Sequence, residues 1–147
     1  MTLRLFFCVM CVASLAQAQT AANTGILVAP DGQCLDLAGA YNTRKPPPSG
    51  TAVVLASCDG RPSQRWTATF GDYNDIRSVG GLFLVAALRG PAGVTLAVHG
   101  SSRVTDLRMH RETIVSGSDC LTQPTAGVAR FTLSPCSGAA SQRWRMR

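Results

Sequence analysis

The tetrapeptide Ser63-Gln64-Arg65-Trp66 returns unchanged as Ser141-Gln142-Arg143-Trp144, and each copy follows a cysteine, Cys58 or Cys136, that stands eight residues before its tryptophan. The copies lie 78 residues apart, twice a 39-residue period, so the chain reads as three units with a worn middle one. The first unit runs through Cys34-Leu35-Asp36, then 53–58, then Gln64-Arg65-Trp66, and the last through Cys120-Leu121-Thr122, then 131–136, then Gln142-Arg143-Trp144. Between them, Phe83-Leu84-Val85 and 94–99 keep the sixteen-residue step of Cys120 to Cys136, with Thr105-Asp106-Leu107 in the place of the third motif. Units of this size cannot each bury a core, so three of them must share one.

Arg4 precedes an apolar run at 5–15 and then Ala16-Gln17-Ala18, the small-x-small pattern of a cleaved leader, so residues 1–18 are expected to be a signal peptide and 19–147 one exported domain. The repeats are expected at about 24–70, 71–109 and 110–147. The apolar run is too short for a stable membrane span, and Cys8 and Cys11 leave with the leader. Four cysteines remain, and an oxidising destination favours two disulfides. Position within the repeat selects Cys34 with Cys58 and Cys120 with Cys136, each inside its own unit. A zinc site built from these cysteines with His99 and His110 lacks the usual ligand spacing, and no metal or cofactor is expected. Phe83 and His99 fill the cysteine positions of the middle unit, which therefore lacks a staple.

β-rich stretches recur at 26–28, 34–37, 52–56, 66–70, 82–86, 94–98 and 131–133, punctuated by Pro30-Asp31-Gly32, Asp59-Gly60, Gly80-Gly81, Gly90-Pro91 and Ser137-Gly138. No apolar stripe of helical period and length competes with them. The expected class is all-β, about four strands per unit, closed on itself as a barrel or trefoil.

C-L-D, a cysteine and then Q-x-W, repeated about every forty residues from Gly25 to Trp144, resembles the ricin-type β-trefoil lectin family. The resemblance implies a pseudo-threefold β-trefoil whose Trp66 and Trp144 pack in a common core, with Leu107 as the smaller core residue of the middle unit. Gln64 and Gln142 would satisfy backbone groups near each tryptophan. It also implies carbohydrate binding in a shallow pocket that each unit can carry, built from a carboxylate, an amide and an aromatic face. In the first unit Asp36 and Gln64 match, while Ala56, Val54 and Ser63 stand at the family's aromatic, upstream Gln and Asn positions. The last unit keeps only Gln142, with Thr122 and Ser134 at the carboxylate and aromatic positions. Val85, Ala97 and Thr105 leave the middle unit with nothing recognisable.

The first unit carries eight extra residues within 40–50, whose prolines Pro46, Pro47 and Pro48 are expected to hold the loop out of the core. Tyr41 is expected to supply the missing ring and Asn42 a polar contact beside Asp36. After loss of the leader the chain carries 13 basic and 8 acidic residues, and twelve of the basic ones are arginine. Arginine suits carboxylate, sulfate or phosphate, but apart from Arg143-Trp144-Arg145-Met146-Arg147 at the end the arginines are spread along the chain, and the scattered set reads as a solvated surface. No nucleic-acid motif, nucleophile elbow, zincin helix or phosphate loop occurs, so the chain is not expected to be an enzyme. The reading is a secreted or periplasmic module that binds galactose-type or related extracellular glycans weakly through its first unit. The alternative is a trefoil with decayed sugar sites that acts as a protein-interaction or toxin-accessory subunit beside a larger secreted protein.

Overall fold

A computed structural model of the chain describes residues 22–69, 74–90, 93–101, 107–124 and 130–147. The leader at 1–18, Phe70 and Thr105 lie outside the described residues. Among the described residues twelve strands form one sheet system. The first four are β1 (Ala22–Val28), β2 (Cys34–Leu37), β3 (Ala52–Ala56) and β4 (Arg65–Thr69). The middle four are β5 (Asn74–Ser78), β6 (Phe83–Gly90), β7 (Gly93–His99) and β8 (Arg108–His110). The last four are β9 (Thr113–Ser116), β10 (Asp119–Thr122), β11 (Thr132–Pro135) and β12 (Arg145–Met146).

The pairings describe a closed ring with three hairpins attached. Antiparallel pairs β1–β4, β4–β5, β5–β8 and β8–β9 run around the ring, and β12 returns to β1 through Leu27 opposite Met146. The amide of Trp144 donates to the carbonyl of Glu112 at 2.7 Å and links the last strands to the turn before β9. The hairpins β2–β3, β6–β7 and β10–β11 meet one another through Val53 opposite Leu96 and Val94 opposite Phe131. Closure in this pattern leaves few free edges among short strands, and the architecture is the β-trefoil expected from the repeat.

Both tryptophans are fully buried, as the shared interior requires. Their ring N–H groups find partners at the same repeat position: Trp66 Nε1 donates to the Leu35 carbonyl and Trp144 Nε1 to the Leu121 carbonyl, each at 2.9 Å. Leu107 of the middle unit is buried in the same core cluster as the two tryptophans, as expected for a smaller residue at the tryptophan position. Phe131 tilts against Trp144 with ring centroids 5.5 Å apart, a favourable aromatic geometry. The disulfides join Cys34 to Cys58 and Cys120 to Cys136, with Cα separations of 5.1 and 5.0 Å.

The middle unit departs in register. Cys34 and Cys120 face Ala56 and Ser134 across their ladders, two residues short of their disulfide partners, whereas Phe83 faces His99 directly. The Phe83 ring is covered by the Arg77 guanidinium at 4.2 Å from its centroid, so a cation–π contact and a ladder pair occupy the place of the staple. The proline loop lies outside the core cluster but not free of the domain: Pro47 is buried, and a Cβ added to Gly80 would lie 2.8 Å from Pro46 Cβ, so the loop lies down on the β5–β6 turn. The Gly50 amide donates to the Val98 carbonyl at 2.7 Å, and the Gly100 amide to Ser49 Oγ at 3.2 Å, which fixes the loop to the middle unit.

Candidate functional site

β2 is buried along its whole length, so its alternation separates two apolar side chains from one polar one. Leu35 and Leu37 join the core, and Asp36 on the other face meets the 3-10 turn Pro62–Gln64. Gln64 is itself fully buried and spends its amide on four partners. Its Oε1 accepts from the amides of Asp59 and Gly60 at 3.0 and 3.1 Å, and its Nε2 donates to the Ser57 carbonyl at 2.8 Å and to Asp36 Oδ2 at 3.2 Å. The motif Gln therefore folds the loop after Cys58 and positions the carboxylate in one act, in accord with the backbone role expected for it.

Arg61, which sequence reasoning passed over, completes this cluster. Its Nε lies 3.5 Å from Asp36 Oδ2, and it grips Asp59 through Nη2 to Oδ2 at 2.7 Å and Nε to Oδ1 at 3.0 Å. The side-chain hydrogen bond with Arg61 holds the Asp59 carboxyl below its ordinary value. The same bond, with the nearby Asp36 charge, holds the guanidinium above its own. Arg61 is half exposed while Asp36 is almost wholly covered, so the arginine forms the outer wall of the carboxylate. Two atoms of this region are buried without a hydrogen-bond partner, Asp36 Oδ1 and Ser63 Oγ. Buried polar atoms are nearly always paired, so an open carboxylate oxygen on Asp36 and an open hydroxyl on Ser63 mark the first unit as chemically unfinished.

Tyr41 is half buried against the core, and its ring lies over Gly39, where an added Cβ would come within 2.7 Å of Tyr41 Cε2. Asn42 is exposed, and its Oδ1 accepts from the amides of Arg44 and Lys45, both at 2.9 Å, which makes it the organiser of a tight turn. The structure thus brings Asp36 and Gln64 together, and among the described contacts none joins Tyr41 or Asn42 to Asp36.

The last unit repeats the frame without the charge. Gln142 Oε1 accepts from the Ser137 amide at 2.8 Å, and Nε2 donates to the Pro135 carbonyl and to Thr122 Oγ1, both at 3.0 Å. Thr122 and Ser134 hydroxyls are 2.7 Å apart, so the polar groups at the carboxylate and aromatic positions are spent on each other. In the middle unit Val85 and Ala97 are buried and apolar. The four cysteines are taken up by disulfides and are closed to a metal.

No protein-family model matches the chain, and no curated protein matches it. Solved structures do. The Rhizoctonia solani agglutinin superposes with a TM-score of 0.63 at 17% identity, covering 89% of this chain and 98% of that one. The C-half of the earthworm R-type lectin, solved in complex with GalNAc, gives 0.62 at 14% identity over 84% of this chain and 96% of that one. A non-toxic homologue of type II RIPs from Momordica charantia (bitter gourd), solved with α-methyl-D-galactoside, gives 0.61 at 27% identity over 85% of this chain, which spans 47% of that protein's length. With its closed ring, its three hairpins and its paired tryptophans, the chain has the β-trefoil fold of the ricin B-type lectins.

Proposed function

We propose that the chain is a non-catalytic carbohydrate-binding module that takes galactose-type or related glycans weakly, through its first unit. One observation carries the reading: Asp36 Oδ1 is a buried carboxylate oxygen with no hydrogen-bond donor among the described residues, on a carboxylate whose Oδ2 is held by the Gln64 side-chain amide. A sugar hydroxyl is a donor that suits it. The bound α-methyl-D-galactoside and GalNAc of two structural relatives support the ligand class. On this reading Asp36 and Gln64 form the floor, Tyr41 offers an apolar face and Asn42 a polar edge, and Arg61 must swing off the carboxylate to admit the ring. That movement sacrifices an ion pair, which accounts for weak binding. The domain would act outside the cell or in a periplasm after removal of residues 1–18; the two disulfides favour an oxidising compartment, and no described helix is long and apolar enough to cross a membrane.

A second reading rests on the last unit, where Thr122, Ser134 and Gln142 satisfy one another and leave little for a sugar. A trefoil whose first pocket stays shut under Arg61 would work as a protein-contact or toxin-accessory subunit. A glycan array separates the two. Saturable binding that free galactose or lactose removes supports the lectin, whereas silence on the array with co-purification of a larger secreted protein supports the subunit.

A further inference from the structure

The C-terminal run Arg143-Trp144-Arg145-Met146-Arg147 is extended, so its side chains alternate. Trp144 is fully buried and Met146 partly so, while Arg143, Arg145 and Arg147 are all exposed on the opposite side. The Trp144 amide, by bonding to the Glu112 carbonyl, brings the β8–β9 turn against this run and adds Arg111 to it. Two clefts result and share Arg111 and Glu112. One, of about 610 Å³, also takes in His110 and Arg143, and the other, of about 270 Å³, takes in Arg145 and Arg147. Four arginines from two separate stretches of sequence therefore line two adjoining clefts around one acidic side chain, Glu112, and none of the four forms an ion pair with a described residue. Arg111 stands there at φ +55°, the left-handed region, at the first position of a two-residue hairpin loop between His110 and Thr113. Glycine is the usual occupant of such a position, so the turn keeps an arginine at the groove against local preference.

From this arrangement we infer a second binding site, distinct from the Asp36 pocket, for a linear sulfated polysaccharide. Guanidinium groups suit the fork geometry of sulfate, and arginines at every second residue of an extended strand recur about 6.6 Å apart, which fits an anion repeated along a chain better than an isolated one. With Trp144 buried, the His110 imidazole is the one exposed ring among the described lining residues, a small platform for stacked nucleobases. Met109 is buried and Met146 only partly exposed, so the groove lacks an apolar anchor for a bilayer.

The test uses the full chain and heparin as the probe, in a salt series. Wild-type protein binds heparin saturably, and desulfated heparin, duplex DNA and phosphatidylserine vesicles at equal concentration bind more weakly. Each of R143S, R145S and R147S weakens binding about two- to five-fold, the range of an exposed charge contact, and lowers the salt slope by about one. Glu112→Gln tightens it. Arg111→Gly weakens it while the melting temperature holds or rises, because glycine adopts φ +55° without a Cβ clash; a merely structural arginine would not show that pair of effects. Equal binding of desulfated heparin, preference for DNA or vesicles, or affinities unmoved by all four arginine variants would overturn the proposal. Galactoside binding stays intact in these variants, so failure here and failure of the Asp36 pocket are told apart.

Discussion

Trp66→Phe tests whether the repeated tryptophans hold the shared interior through both their bulk and their ring N–H. Trp66 is fully buried, and its Nε1 donates to the Leu35 carbonyl at 2.9 Å, in a strand with no solvent access. Phenylalanine removes the donor and leaves that carbonyl unpaired, which costs about 1–3 kcal/mol. The smaller ring also leaves a void where the second ring of the indole packed, adding about 1–2 kcal/mol. The sum is about 2–5 kcal/mol. A domain of this size has an unfolding entropy near 0.27 kcal/mol/K, so the melting temperature should fall by about 7–18 °C, read by calorimetry with both disulfides intact. Trp144→Phe should fall by a similar amount, since its Nε1 bond to Leu121 has the same length and it also packs on Phe131. A loss below about 3 °C for either variant would refute the reasoning, because under about 1 kcal/mol cannot contain a buried, unpaired carbonyl.

Gly25 is buried against the end of the ring, where an added Cβ would run into the Arg147 carbonyl, so Gly25→Ala should force β1 and β12 apart and lower stability by about 1–3 kcal/mol in a denaturant titration. Replacing Cys120 and Cys136 together by alanine should cost about 3 kcal/mol, and the same change at Cys34 and Cys58, whose loop is longer, slightly more; equal stability of reduced and oxidised protein would contradict this. Asp59 has a folded pKa below its ordinary value, so its stabilising contribution is present above the usual Asp range and is lost as the pH falls through the folded value. An NMR titration should place the Asp59 carboxyl in the ordinary range in Arg61→Ala, and an unchanged value would show that Arg61 is not the cause.

Much of the fold was legible because the repeat is written in residues that cannot be exchanged cheaply. A buried tryptophan, a buried amide and a disulfide recur at fixed spacing, and the stretches at 26–28, 34–37, 52–56, 82–86, 94–98 and 131–133 fall wholly or largely within β1, β2, β3, β6, β7 and β11. What escaped was mainly the ring. β5 and β8 hold one apolar residue apiece, Ile76 and Met109, and β9 two adjacent ones, Ile114 and Val115, of which only Ile114 is buried; strands of three to five residues with so few apolar members carry almost no periodic signal. At the candidate site, Asp36 and Gln64 were found through their motif, whereas Arg61 sits in an irregular turn and meets Asp36 only when β2 and the 3-10 turn come together. The arginine groove escaped for the same reason. The C-terminal run is visible in sequence, but Arg111 reaches it only through the Trp144–Glu112 bond.

A titration of the full chain with α-methyl-D-galactoside, followed by two-dimensional NMR, puts the proposed sugar site at risk. The account predicts amide shifts clustered at Asp36, Ser63 and Gln64 and extending to Tyr41, with at least a tenfold loss of affinity in Asp36→Asn, the scale of a hydrogen bond to a charged acceptor. Shifts confined to other units, or equal affinity in Asp36→Asn with the fold retained, would contradict it.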